Sequence, residues 1–462
     1  MMPRSLAWIA RTAGGELHGA DRMVDALATD TRALPQGKAA LFVALKGEQF
    51  DGHDHVAAAA RGGCVAALVA HAVDTGLPQV VVRDTERALA AIAAETQRAR
   101  STKVLAVTGS NGKTSVKSLL LSIMDQMGGA YATPGNRNNE IGLPLAVIDA
   151  PEDARFAVYE MGAGKPGDIA YLAAIARPDV ALVNNIAPAH LERMGSLLGV
   201  AYTKAAIYDA LPADGVAVIN ADDAFAPYFM ARAHGRRILR FALDASAEIV
   251  ARDIHVDGEG SRFVLVTPQG QVDIALPLPG HHSVRNALAS AAMALGAGAT
   301  LEQVRTGLDS AQPVAGRQIR HRLRNGAVLV DDSYNANPGS VDAAIDTLVA
   351  GGGEAWLVLG DMRELGADEV ALHAQAGIHA KTAGIARLYT LGSLSKATAD
   401  AFGAGARHFA SHAALAEALR ADLRAGLQVL VKGSRGSAMD RIVSMLLASD
   451  ASSVEKGEAD AA

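Results

Sequence analysis

Only one cysteine, Cys64, occurs among the 462 residues. A single thiol excludes an intramolecular disulfide framework and a cysteine-built zinc site, and it fits a reducing compartment. Basic charge is not in excess either: 43 Lys and Arg against 49 Asp and Glu give a net charge of −6, so the bulk composition advertises no nucleic-acid partner. Long apolar runs are missing too. Near the start, Arg4 precedes only Ser5 to Ala10 before Arg11 intervenes, too short a core for a secretion signal. The least polar stretch, Ala287 to Leu301, falls short of the roughly 18 to 20 apolar residues that a membrane helix needs, and reads as a buried helix followed by a turn. No repeat of fixed period and no low-complexity linker interrupts the chain. With 50% hydrophobic and 20% charged residues the composition is that of globular proteins, and at roughly 150 residues per domain the length suggests about three. A cytoplasmic enzyme without membrane insertion is the expectation.

What is present is an alternation of short apolar runs with Ala- and Leu-rich helical patterns, the pattern of strand–helix units around a mostly parallel sheet. Lys103–Val107, Phe156–Tyr159, Val180–Val183 and Val216–Ile219 read as strands, and Ser115 to Met127 reads as a helix. The helical segment 85–100 ends in the polar junction Arg98-Ala-Arg-Ser-Thr102. A second shift in composition falls near Gln312-Pro313-Val-Ala-Gly316, after which Ala327–Val330, Ala355–Leu359 and Val429–Val431 restart the alternation. The last residues, from Ser449 on, are small and charged and predict a frayed tail.

Between the first central strand and its helix lies Thr108-Gly109-Ser110-Asn111-Gly112-Lys113-Thr114-Ser115. In a strand–turn–helix setting such a loop surrounds phosphate oxygens with backbone N–H groups. Its lysine neutralises β and γ charge, and its threonine hydroxyl can ligate Mg²⁺. Val107 stands where the generic phosphate-loop pattern has its first glycine. Nucleotide binding alone does not name a reaction, because many enzyme classes share this device.

Several distant segments narrow the choice. They are Asp30-Thr-Arg32, Leu41-Phe-Val-Ala-Leu-Lys-Gly-Glu48, Phe50-Asp-Gly-His53, Thr133-Pro-Gly-Asn-Arg-Asn-Asn-Glu-Ile-Gly-Leu-Pro144, Glu160-Met-Gly162, Ala189-His-Leu-Glu192, Asp331-Asp-Ser-Tyr-Asn-Ala-Asn-Pro338, Leu359-Gly-Asp-Met-Arg-Glu-Leu-Gly366 and Lys432-Gly-Ser-Arg435. Together with the shortened loop they resemble the Mur ligase family, the ATP-dependent amide-forming enzymes of bacterial peptidoglycan assembly, over about residues 25 to 440. The resemblance implies ATP and Mg²⁺ as cofactors. In the implied reaction ATP phosphorylates the terminal carboxylate of UDP-N-acetylmuramoyl-tripeptide, and the amine of D-alanyl-D-alanine attacks the acyl phosphate. A related ligase adding another amino acid, or a folate-polyglutamylating enzyme, is the rival. The missing D-N-P-R motif and the Asp30-Thr-Arg32 and Phe50-Asp-Gly-His53 blocks argue against these. A nucleotide-gated binding protein without chemistry is the rival from another class.

The fold implied is α/β with three domains: a small N-terminal α/β domain for the UDP substrate (residues 1–84), a central P-loop-type domain with a mostly parallel sheet (85–314) and a C-terminal Rossmann-like domain for the dipeptide (315–450), with 451–462 as a disordered tail. A monomer is expected. Residue by residue, the resemblance places Lys113 on the phosphates, with Thr114, Glu160, His190 and Lys204 around metal and Lys204 carrying a carbamate formed with CO₂. Asn286 would contact adenine, Arg317 phosphate and Asp332 ribose. Ser283 stands where the family usually has Asn, and a serine there can cap a helix. Thr31, Arg32, Lys46, Gly47, Asp51 and His53 match the uridine-diphosphate end, and Asn136, Arg137, Asn138 and Asn139 the muramoyl or peptide portion. Tyr334, Asn335, Asn337, Lys432, Ser434 and Arg435 would surround the dipeptide, with Arg435 on its carboxylate. The ordinary alternatives are a solvated loop acid for Glu160, a structural imidazole for His190, a surface lysine for Lys204, a helix-surface arginine for Arg317 and a turn acid for Asp332.

Overall fold

A computed structural model describes residues 1–47, 49–188 and 191–459. Sheets of five, nine and six strands carry the chain, beside a short ribbon that pairs Arg4–Ser5 with Met23–Val24. In the first sheet Ala26–Ala28, Ala40–Val43, Ala66–Val69 and Gln79–Val81 run parallel, and Glu16–His18 closes the edge antiparallel.

The central sheet is built around Lys103–Thr108, which lies parallel between Phe156–Glu160 and Val180–Val183. It extends through Val216–Asn220 and Arg237–Ala242 and ends in an antiparallel ribbon, Ser261–Thr267 with Gly270–Leu276. The continuous apolar run Val104–Val107 suits a parallel strand covered on both faces. Because side chains alternate along a strand, Val104 and Ala106 enter one core with residues of the helices Thr85–Arg98, Asp168–Ala176 and Leu197–Asp209. Leu105 and Val107 enter the other core, with the helices Lys113–Asp125 and His281–Ala297. Each fully buried Val or Leu stabilises the fold by about 1.5–3 kcal/mol.

In the third sheet Val328–Asp332, Leu427–Lys432, Glu354–Gly360, Arg387–Leu391 and Ala406–Phe409 are parallel, with Ile319–Arg322 antiparallel at the edge. The central and third sheets both bring carboxyl ends of strands to one cleft, where open α/β sheets gather ligands. The loop after Thr108, Glu160 and Asp332 all lie at such ends.

Three boundaries depart from the sequence pattern for local reasons. The helix expected from Ser115 begins at Lys113, because Gly112 at φ +79° turns the chain directly into it. The Ala-rich helix, which the segment Gly280–Asn286 opens as its pattern predicts, starts at His281 but ends at left-handed Gly298 rather than near Leu301, and a second helix, Leu301–Asp309, is started by a Thr300/Gln303 capping box. At the chain's end helical backbone Asp440–Ala459 enters the stretch whose composition suggests a tail; within it Gly457 is the one strong helix-breaker. Among the described residues no helix is long and apolar enough to cross a membrane.

Candidate active site

The loop after Lys103–Thr108 is shaped by two glycines that no other residue could replace cheaply. Gly109 has φ +149°, and a Cβ there would lie 3.0 Å from Asn184 Cβ; at Gly112 it would lie 2.5 Å from both Asn184 Nδ2 and Asn286 Oδ1. Asn185 braces the loop from the neighbouring strand end: its carbonyl accepts from the Ser110 N–H (2.9 Å) and its Oδ1 from the Asn111 N–H (2.9 Å). Those two donors are therefore occupied. The helix that follows has no side-chain cap at Gly112, so its first N–H groups remain available to an anion. Lys113 Nζ meanwhile donates to the Gly109 (2.7 Å) and Ser110 (3.3 Å) carbonyls. Burial lowers its pKa, opposed by the charge of Glu160 and aided by that of Arg317.

Glu160 ends the adjacent strand and is 3% exposed. Asn138 Nδ2 donates to its Oε1 at 2.8 Å. Its Oε2 lies 3.4 Å from Lys117 Nζ but out of line for a hydrogen bond, and so is buried without a donor. Burial works against the carboxylate, yet the charges of Lys113 and Lys117, with the polar Asn138 and Thr114 side chains beside it, outweigh it, leaving the pKa below its ordinary value.

From the segments flanking the first strands of the third sheet come Arg317, whose Nη2 donates to Thr114 Oγ1 at 2.9 Å, and Asn337, whose Nδ2 donates to Asn111 Oδ1 at 2.6 Å. Arg317 also stacks over the Tyr334 ring at 4.4 Å. These contacts close a cleft of about 910 Å³. Ser110, Asn111, Gly112, Lys113, Thr114 and Ser115 line one side, with Asn136, Asn138, Asn139, Glu160 and Asn286 beside them and Arg317, Asp332, Tyr334, Asn335, Asn337 and Lys432 across from them. Gly109 backs the loop.

Other sequence-derived residues lie elsewhere. Lys204, on the helix Leu197–Asp209, is 2% exposed and beneath the cleft wall rather than on it. Among the described residues no hydrogen bond or ion pair reaches its ammonium. Burial drives its pKa well below the ordinary lysine value, with a further push from Lys113 and an opposing pull from Asp168. A surface lysine is thereby excluded. His190 lies outside the described residues. Arg137 points away to Asp149 (2.8 Å). Ser434 is buried and donates to the Ala336 carbonyl, while Arg435 is exposed, 3.5 Å from Asp440. Thr31, Arg32, Lys46, Gly47, Asp51 and His53 belong to the N-terminal unit and do not line the cleft. There Asp30 holds Arg32 through its guanidinium, Lys46 Nζ sits 3.9 Å from Asp51, and His53 bonds Asp51 at 2.5 Å and stacks on His71. Ser283 does not cap its helix. It is the third helical residue, and its hydroxyl donates to the Pro279 carbonyl at 2.8 Å.

Lys432 and Asp332 form a buried pair at 2.7 Å, and the same ammonium donates to the Asn335 carbonyl at 2.9 Å. Removing one partner strands the other's charge. We expect Asp332→Ala to lower the urea midpoint of the C-terminal unit by the equivalent of about 3 kcal/mol, and Asp332→Ala with Lys432→Met to recover part of it. Equal midpoints in the single variant and the parent would show the pair to be neutral.

Pattern alone missed Asn184, Asn185 and Lys117. The asparagines were visible as two polar residues directly after the buried strand Val180–Val183. Lys117 was visible as a cation on the apolar face of its helix, in line with Leu120 and Met124.

The chain matches the Mur ligase middle domain over residues 107–294 and the Mur ligase glutamate ligase domain over 316–435. It is 43% identical to UDP-N-acetylmuramoyl-tripeptide–D-alanyl-D-alanine ligase of Escherichia coli, covering 96% of this chain and 99% of that one. Among solved structures it is similar to MurF from Acinetobacter baumannii (31% identity, TM-score 0.92, 96% and 99% covered). It is also similar to MurF ligase from Thermotoga maritima in complex with ADP (27% identity, TM-score 0.82, 92% and 97% covered).

Proposed function

Because the chain belongs to the Mur ligase family, we propose that its cleft performs the reaction named for its full-length relatives. It is an ATP-dependent ligase that joins D-alanyl-D-alanine to UDP-N-acetylmuramoyl-tripeptide. The observation that carries the reading at the level of chemistry is the meeting, in one cleft, of an uncapped helix N-terminus, two cations and a carboxylate oxygen without a donor.

ATP lies with its phosphates against the N–H groups of Gly112–Ser115, and Lys113 leaves its carbonyl partners to neutralise the γ-phosphate. Thr114 Oγ1 and the donor-free Glu160 Oε2 suit Mg²⁺, which when bound offsets the repulsion between phosphate and carboxylate. Mg²⁺ is commonly held by one or two carboxylates together with substrate phosphates and water, and Glu160 with Thr114 would supply the protein oxygens. Lys204, whose ammonium form burial disfavours, is the residue for a carbamate: its neutral nitrogen adds to CO₂, a C–N bond forms and one N–H proton leaves to solvent. The family's histidine corresponds to His190.

The peptide carboxylate attacks the γ-phosphorus and ADP departs. The dipeptide amine then displaces phosphate from the acyl phosphate, so protection from water and close placement supply most of the acceleration. Arg317 and Asn337, reaching across to Thr114 and Asn111, support a closed form with water excluded. We assign residues 1–84 to the uridine-diphosphate end through Thr31, Arg32, Lys46, Gly47, Asp51 and His53, residues 85–314 to ATP, and 315–450 to the dipeptide beside Tyr334, Asn335, Asn337 and the Lys432–Arg435 turn. Asn286 packs against adenine and Asp332 faces ribose. A monomer is the state we propose, and the lone thiol and the ATP requirement suit the cytoplasm.

The test is phosphate release with ATP and every pairing of UDP-linked peptides and amines. Turnover that needs both the tripeptide and D-alanyl-D-alanine, with the pentapeptide as product, is expected. Nucleotide binding without turnover, or preference for a single amino acid, would overturn the assignment.

A further inference from the structure

Lys117 lies one helical turn beyond Lys113 and is 7% exposed. A lysine seldom sits that deep unless its ammonium is held. Here Nζ donates to the Thr133 carbonyl at 2.9 Å and to the Gly135 carbonyl at 2.8 Å, and lies 3.4 Å from Glu160 Oε2. The two carbonyls open the loop that carries Asn136, Asn138 and Asn139 into the cleft. On its far side this loop is tied to the Glu160 strand end: the Gly162 N–H donates to the Asn138 carbonyl (2.8 Å) and Asn138 Nδ2 to Glu160 Oε1 (2.8 Å). Among the described residues, the two bonds from Lys117 are the hydrogen bonds that join the loop to the phosphate-loop helix.

We infer that Lys117 is a positioning residue, a tie that sets the Asn136–Asn139 loop and Glu160 at a fixed distance from the phosphate-loop helix and so places the UDP-linked peptide beside ATP. Lys113 cannot do this, because nucleotide draws its ammonium away; Lys117 has no route to the phosphates and stays with its carbonyls. Two neutral carbonyls that accept N–H groups and one carboxylate oxygen close enough to feel charge converge from different elements, a combination that a lysine suits. Without it, Thr133 stays bonded to the Glu160 strand through the Val158 carbonyl and the Glu160 N–H, but loop and strand together lose their hydrogen-bonded tie to the phosphate-loop helix, while the helix N-terminus that receives phosphate stays intact.

This inference rests on the ligase reading, and the experiment separates the two. Absence of turnover in the parent enzyme would sink the ligase reading before any variant is made. With an active parent, Lys117→Met, Lys117→Ala and Lys117→Arg are compared for ADP affinity by calorimetry and for the KM of each substrate. Expected for Lys117→Met and Lys117→Ala are ADP affinity within threefold of the parent, at least a tenfold higher KM for UDP-N-acetylmuramoyl-tripeptide and at least a tenfold lower kcat, with the KM of ATP and of D-alanyl-D-alanine within threefold. Lys117→Arg, which keeps charge and donors, recovers at least half of the lost kcat/KM on a logarithmic scale. A folded Met or Ala variant whose tripeptide KM stays within twofold overturns the inference, as does an equal rise in all three KM values or an arginine variant no better than methionine. Failure of all three variants to fold overturns it as well, by making Lys117 a stability element.

Discussion

Lys113→Ala is expected to lower kcat/KM by at least about 10³-fold, the scale on which a cation aimed at a transferring phosphoryl group acts. The Lys113 ammonium rests on two loop carbonyls, Gly109 and Ser110, so the group is already aimed at the turn and moves only a short way to meet phosphate. Burial disfavours its charge while Glu160 supports it. An incoming triphosphate supplies more negative charge and makes the ammonium's protonated form easier to hold. The alanine variant keeps Gly109 and Gly112 and the Asn185 brace, so its fold and melting temperature should stay near those of the parent. ADP affinity should fall far less than turnover, because the γ-phosphate is absent. The check is single-turnover phosphate release beside calorimetric ADP binding. Turnover above a tenth of the parent's would remove Lys113 from the reaction.

Lys204→Ala should lose about 10²- to 10³-fold in kcat, comparable to removing one preorganised polar group at a reacting centre, and should regain part of it with a short-chain carboxylic acid. The sign of the charge at this position is decisive. An ordinary lysine would bring a second positive charge toward Lys113 and repel metal. Burial makes the protonated form costly and leaves an amine able to add to CO₂, which converts the residue into an anion. The neutral form is the majority above the lowered pKa, so carbamate and activity fall as pH drops through it. Formate, acetate and propionate differ in how well they fill the space left by the side chain, so rescue should depend on acid size. Absence of rescue by every acid, together with carbon-13 spectra lacking a carbamate signal in labelled bicarbonate, would assign Lys204 to packing alone.

Much of the cleft lining is legible in the sequence. The turn Gly109–Ser115, the strand ending at Glu160 and the block around Asp332 to Asn337 each combine a buried strand with polar residues at its carboxyl end, and local pattern suffices to find such places. The ADP-bound relative agrees with nucleotide binding at a chain of this kind. Helix ends are less legible, since the stop at Gly298 and the new start after Thr300 depend on a left-handed glycine and a capping box, not on apolar periodicity. Ser283 shows the same limit: a serine near a helix start suggests a cap, but the Pro279 carbonyl is nearer than any free N–H group.

The sequence by itself determined the α/β order of elements, the phosphate-binding turn and the membership of the family, because these reside in short segments whose backbone chemistry is local. Only the tertiary structure decided which charges are neighbours. Lys117, Thr133, Gly135 and Glu160 come from separate elements, as do Arg317 and Thr114, Asn337 and Asn111, and Lys432 and Asp332. Whether a lysine is a surface ornament, a buried tie or a latent anion depends on the solvent excluded around it and on the atoms facing it. Those are properties of the packed chain, which no stretch of sequence carries alone.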